Sequence, residues 1–117
     1  MAYQAIDYKI TEDTILQPDL SILCKPANKK FIDFPPALVA EILSPSTAIK
    51  DRFTKADLYK SQRIRYYIII SLEGGEVEVY ELENEGYVLK QKGKDFNYPF
   101  SFEGHCQATI NFSELWK

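Results

Sequence analysis

At 117 residues, with 45% hydrophobic, 14% aromatic and 26% charged content, the chain has the make-up of one folded domain spanning 1–117, neither disordered nor long enough for two cores. Its net charge of -3 speaks against tight counterion-driven binding to a polyanion by a single copy, which needs clustered Lys and Arg. No stretch approaches the roughly 18 apolar residues of a membrane span, and Met1 to Ile10 lacks a basic start followed by an apolar run, so a cytoplasmic protein is expected.

Tyr3 to Thr11 alternates imperfectly and ends at Glu12-Asp13, which predicts a short strand and a turn. From Pro18 onward Leu20, Ile22 and Cys24 fall on one side of an extended segment, with Asp19, Ser21 and Leu23 on the other. Lys25 to Pro36 reads as a loop with three prolines and three lysines. Ala37 to Leu43 is an apolar strand interrupted by one charge, Glu41. Ser44-Pro45-Ser46-Thr47 ends it and offers hydroxyl caps for a helix from Ala48 to Gln62. On that helix Asp51, Lys55, Leu58, Tyr59 and Gln62 share one side; Ile49, Phe53 and Ala56 share another.

Tyr66 to Leu72 is a continuous run of β-formers, so strand, helix and strand from Ala37 to Leu72 form a right-handed βαβ unit with parallel strands. Turns at Glu73-Gly74-Gly75 and Asn84-Glu85-Gly86 then make a meander through Glu76–Leu82 and Tyr87–Lys92. Phe96–Phe102 and Gly104–Asn111 follow, and Ser113 starts a terminal turn ending at Trp116. The fold class is α/β, an α+β mixed sheet with one main crossover helix and a C-terminal β-meander.

Cys24 and Cys106 lack C-x-x-C spacing and lie in apolar stretches, so buried reduced thiols are expected rather than a disulfide or a zinc site. The single histidine, His105, rules out histidine triads and histidine metal clusters. Any chemistry therefore runs on carboxylates, lysine, hydroxyls and metal.

If the Pro18 segment and Ala37–Leu43 pair antiparallel, with Leu20 opposite Ala40, Ser21 opposite Val39 and Ile22 opposite Leu38, then Asp19 stands opposite Glu41. Both acids leave one sheet face, with Cβ atoms about 4.5–5.5 Å apart. Bare carboxylates at that distance repel, and burial adds a desolvation cost; a bound cation removes both problems. Each acid also has an inert reading. Asp19 could be satisfied by backbone N–H groups, and Glu41 by a salt bridge to Lys55.

The run Gln17-Pro18-Asp19-Leu20-Ser21, then Glu41-Ile42-Leu43-Ser44-Pro45-Ser46-Thr47, then Asp51-Arg52, Lys55, Leu58-Tyr59 and Tyr66-Tyr67-Ile68-Ile69 resembles the Uma-two family of restriction-endonuclease-like proteins, within the PD-(D/E)XK nuclease superfamily. The resemblance covers about residues 12 to 90 and implies a mixed sheet flanked by helices, a Mg²⁺ or Mn²⁺ ion, and hydrolysis of DNA phosphodiester bonds. Asp19 falls on the proline-aspartate acid and Glu41 on the second acid, with the Ile42 carbonyl as a further ligand. Leu43 occupies the usual lysine position, so Lys55 is the candidate replacement, held by Asp51 one turn before it.

Relatives carry a longer segment before the proline-aspartate, with a helix, strands and an upstream acid. Seventeen residues precede Pro18 here, with Asp7 and Glu12 the nearby acids. An N-terminally shortened domain is expected, with uncovered apolar surface that a homodimer would bury. Two further readings stand beside the endonuclease: an inactive remnant serving self-association or protein interaction, and a nucleic-acid-binding module without hydrolysis. Lys25, Lys29 and Lys30 are candidate phosphate contacts, against the simpler reading of a solvated loop.

Overall fold

In a computed structural model of the chain, residues 2–4, 6–27, 30–43, 48–102, 104 and 106–116 are described, with residues 3 and 48–53 described by their backbone alone. The elements in chain order are β1 (Ala2–Gln4), β2 (Asp7–Thr11), β3 (Thr14–Leu16), β4 (Leu20–Ile22), β5 (Phe31–Ile32), β6 (Leu38–Leu43), α1 (Ala48–Ser61), β7 (Tyr66–Ser71), β8 (Glu76–Glu83), β9 (Gly86–Gly93), β10 (Asn97–Ser101), β11 (Gln107–Asn111) and a terminal 3₁₀ helix, Phe112–Trp116.

Six strands form the main sheet in the order β1-β4-β6-β7-β8-β9. Its centre is the predicted βαβ unit: β6 and β7 lie parallel, with Leu38 opposite Tyr66 through Leu43 opposite Ser71. Strands buried on both faces need apolar residues at every position, which is why Leu38–Ala40 and Tyr66–Ile70 are unbroken runs. The antiparallel meander β7-β8-β9 follows. Its first turn has Gly74 and Gly75 at φ +86° and +62°, a conformation that suits residues without a Cβ.

On one sheet face Leu38, Ala40, Tyr66, Ile68, Ile70, Val77 and Val79 pack with Phe100 of the β10–β11 hairpin and Phe112 of the 3₁₀ helix. On the other, Val39, Tyr67 and Ile69 meet Tyr59 of α1, Ile64 just beyond it, and Tyr8, Leu23 and Ile32 around the small β3-β2-β5 sheet. Both faces are therefore covered. Large apolar side chains nevertheless remain exposed at Ile15, Ile42, Leu72, Val88, Leu89 and Leu115. The predicted single strand at Tyr3–Thr11 is instead two, because β1 joins the main sheet beside β4 while β2 turns away into the small sheet. The predicted Lys25–Pro36 loop contains β5, which pairs parallel to β2.

The expectation of reduced thiols is also corrected: Cys24 and Cys106 form a disulfide across 82 residues, with Cα atoms 5.7 Å apart. Cys24 follows β4 and is exposed, while Cys106 immediately precedes β11, so the bridge links the main sheet to the hairpin beneath it. Such a contact is made by tertiary folding, and local cysteine spacing carries no trace of it. The caps proposed at Ser44, Ser46 and Thr47, together with Lys29 and His105, lie outside the described residues, as do the side chains of Ile49, Asp51 and Phe53.

Candidate active site

The pairs Leu20 with Ala40, Ser21 with Val39 and Ile22 with Leu38 form as predicted. The ladder ends at Leu20 and Ala40; continuing its register past that end sets Asp19 opposite Glu41, and Pro18 opposite Ile42. Proline has no N–H to offer the ladder. The Asp19 side chain turns to the neighbouring strand, where Oδ2 accepts the Ile42 N–H at 2.7 Å. N–H and C=O of one residue in an extended strand point to the same side. The Ile42 carbonyl thus faces the edge where Pro18 has no donor to give.

Glu41 is only 2% exposed and lies on the α1 side of the sheet. Lys55 and Tyr59, four residues apart and so one above the other on α1, both reach it. Lys55 Nζ lies 3.3 Å from Oε2 and the Tyr59 hydroxyl donates to Oε1 at 2.5 Å. Lys55 keeps 33% of its side chain exposed, so the ammonium sits at the rim and the carboxylate below it. Burial pushes the Glu41 carboxyl above its ordinary pKa and the Asp19 charge adds to the rise, while the bonds from Tyr59 and Lys55 oppose it without cancelling it. The same burial, with the Glu41 charge, drives the Tyr59 phenol upward.

A hard divalent cation wants oxygen ligands and a negative charge that lacks full compensation. The residues present fit it. The donors are all oxygens, Glu41 remains undercompensated, and the second Asp19 oxygen has no hydrogen-bond donor among the described residues. The Ser21 hydroxyl, two residues from Asp19 on the same face, is fully buried and has no partner among the described residues. No cluster of three or more His, Cys, Asp or Glu able to hold a metal occurs among the described residues, so the acid pair would need main-chain, hydroxyl or water oxygens to complete a shell.

Several predicted participants stand elsewhere. Glu12 pairs with Lys9 at 3.0 Å at the β2–β3 hairpin, and Asp7 accepts from the Gln17 amide at 3.0 Å. Lys25 lies over the Phe34 ring at 4.4 Å. Tyr59 is a core residue, and its four-residue spacing from Lys55, on the helix side that the sequence already groups them on, brings both tips to Glu41. Ser21 was legible as sharing the Asp19 face, but its missing partner was not.

A mixed sheet with one crossover helix, carrying a proline-aspartate beside a buried glutamate, defines a restriction-endonuclease-like core. The Uma2 family, described as "Putative restriction endonuclease", matches residues 2–103, and the chain belongs to that family. An uncharacterized protein of Synechocystis sp. is 37% identical over 73 residues, covering 59% of this chain and 38% of that protein. The crystal structure of a "putative nuclease belonging to DUF820" from Anabaena variabilis shares the fold at a TM-score of 0.55 and 21% identity, over 75% of this chain and 52% of that one. The chain thus spans about half or less of the length of both. Among the described residues no helix is long and apolar enough to cross a membrane.

Proposed function

We propose that the chain forms the core of an endonuclease that hydrolyses DNA phosphodiester bonds with Mg²⁺ or Mn²⁺. The observation that carries this reading is the meeting of Asp19 and Glu41 at one strand junction, with Lys55 brought to Glu41 from the crossover helix. Asp19, Glu41 and the Ile42 carbonyl would hold the ion. When bound, a divalent ion lowers the pKa of a coordinated water and offsets charge on a phosphate oxygen.

The chain's own groups do the rest. Asp19 and Glu41 supply the negative charge, and the Ile42 N–H fixes the Asp19 carboxylate. Lys55, with a third of its side chain exposed, is near enough to solvent to meet a phosphate or the attacking water while Glu41 holds its ammonium from below. A net charge of -3 gives little general attraction to DNA, so a bridging cation and a second copy, as a homodimer, belong to the same reading. The cytoplasm, where DNA would be met, is its place of action.

The test is nicking of supercoiled plasmid by purified protein in Mg²⁺ or Mn²⁺. Activity that disappears on chelation and in Asp19→Ala and Glu41→Ala is expected. Absence of cation-dependent cleavage by the longest natural form of the protein overturns the reading. One observation favours a second reading, an inert ion network in a remnant that serves self-association: Glu41 is nearly sealed and each of its oxygens already has a donor. On that reading Mn²⁺ binds no better to the wild type than to Asp19→Ala.

A further inference from the structure

We infer that Tyr59 is a positioning residue that fixes the plane of the Glu41 carboxylate for a divalent cation, an inference that rests on the metal reading above. A glutamate side chain has three torsions, and burial alone offers no direction to its oxygens. Here each oxygen has its own donor, Tyr59 on Oε1 and Lys55 on Oε2, and both come from one face of one helix. With two oxygens held, the carboxylate plane is set before any ion arrives. A carboxylate oxygen has room for more than one partner, so the bond from Tyr59 leaves lone pairs on Oε1 for a cation.

The two donors are not equivalent. Lys55 is a flexible chain with 33% of its side chain exposed, free to leave Glu41 for a phosphate. Tyr59 is fully buried and its ring packs on Tyr67 with centroids 5.5 Å apart. Its main-chain carbonyl accepts the Ile64 N–H at 3.2 Å in the turn that closes α1, so the residue is anchored at both ends. Glu41 therefore keeps one fixed bond when Lys55 moves. Partners of this kind around ligating carboxylates are worth about 10–100-fold in metal affinity.

The experiment compares wild type, Tyr59→Phe and Tyr66→Phe. Tyr66 is the control: its hydroxyl donates to the Ser101 carbonyl at 3.3 Å on the opposite face of the sheet and is not bonded to Glu41. Three readouts are taken: Mn²⁺ affinity by calorimetry, the electron-paramagnetic-resonance spectrum of bound Mn²⁺, and the rigidity of the Glu41 side chain in the metal-free protein by ¹³C relaxation. Tyr59→Phe is expected to bind Mn²⁺ about tenfold more weakly, with an altered Mn²⁺ electron-paramagnetic-resonance spectrum and a Glu41 side chain that averages between rotamers. Tyr66→Phe should change none of these. Wild-type affinity together with a rigid Glu41 in Tyr59→Phe overturns the inference. Failure of wild type itself to bind Mn²⁺ overturns the metal reading instead, and the metal-free relaxation data still decide whether Tyr59 orients Glu41.

Discussion

Burial holds the Glu41 carboxyl above its ordinary value, and this has a consequence for stability with a definite sign. Between the pKa of the unfolded chain and the raised value, the native state keeps a proton that the unfolded state has released. Stability therefore falls as pH rises through that window, upward from the ordinary carboxylate range. Glu41→Gln is uncharged throughout and keeps an oxygen for Tyr59. Urea midpoints of wild type minus Glu41→Gln should decrease steadily with pH in metal-free buffer. A difference that is flat, or that rises with pH, would mean the ionised carboxylate is better solvated in the fold than burial allows. At the upper end of the window, saturating Mg²⁺ should restore part of the lost stability in wild type alone, since an ion that binds only the native state stabilises it by mass action.

The strand register was the most legible part of the molecule, and the reason is geometric. Side chains alternate with a period of two, so the only antiparallel pairing that keeps Leu20 and Ile22 against Ala40 and Leu38 also sets Asp19 opposite Glu41. The crossover helix and the meander were readable for similar reasons: an unbroken apolar run on each side of α1, and glycine or asparagine at each turn. The small sheet was not, because β5 is only Phe31–Ile32 and its pairing to β2 is long-range. The end of α1 shows how closely local chemistry and packing agree. Arg63 has φ +59°, the Arg63 N–H donates to the Lys60 carbonyl at 2.9 Å and the Ile64 N–H to that of Tyr59, a left-handed helix stop of the Schellman kind. Ile64 and Tyr59 then join the same core, so this stop helps seat Tyr59 under Glu41. Arg63 already bears the cost of a Cβ at positive φ, about 1–2 kcal/mol, and Arg63→Gly relieves it against the lost bond from the guanidinium to the Asn84 carbonyl. Arg63→Gly should therefore unfold at a higher urea midpoint than Arg63→Val, which is β-branched at the same φ.

Pro18 offers a second prediction at this scale. Pro18→Ala returns an N–H to the position facing Ile42, where the Ile42 carbonyl can take it into the ladder. If that carbonyl is an ion ligand, Pro18→Ala weakens Mn²⁺ binding while changing stability by no more than about 1 kcal/mol, the usual size of a proline effect on the unfolded chain. Equal Mn²⁺ affinity in the two proteins removes Ile42 from the ligand set and leaves Asp19 and Glu41 in place.

Across the whole molecule, three layers stack on one another, and the radius of gyration of 13.7 Å is close to the about 13.4 Å expected for this length. The α1 layer is held to the sheet by apolar contact and by the bonds from Lys55 and Tyr59 to Glu41, whereas the β10–β11 hairpin has a covalent tie as well as its apolar contact, through Cys24–Cys106. Closing a loop across 82 residues removes chain entropy worth about 4 kcal/mol from the unfolded state. That is a large share of the roughly 5–15 kcal/mol that separates folded from unfolded domains, yet the core does not depend on the bridge for its shape. Phe100 and Phe112 are buried against the sheet, and the hairpin has its own five-pair register. Reduction should therefore lower the urea midpoint of the protein markedly while leaving one cooperative transition and an unchanged far-ultraviolet spectrum. A Cys106→Ser variant should match the reduced protein and be indifferent to reductant. A midpoint that does not move on reduction would show that the thiols are unpaired in solution, and cytosolic reductants favour that form. A second, earlier transition confined to the hairpin would show that the bridge, and not the aromatic packing of Phe100 and Phe112, keeps the lower layer on the sheet.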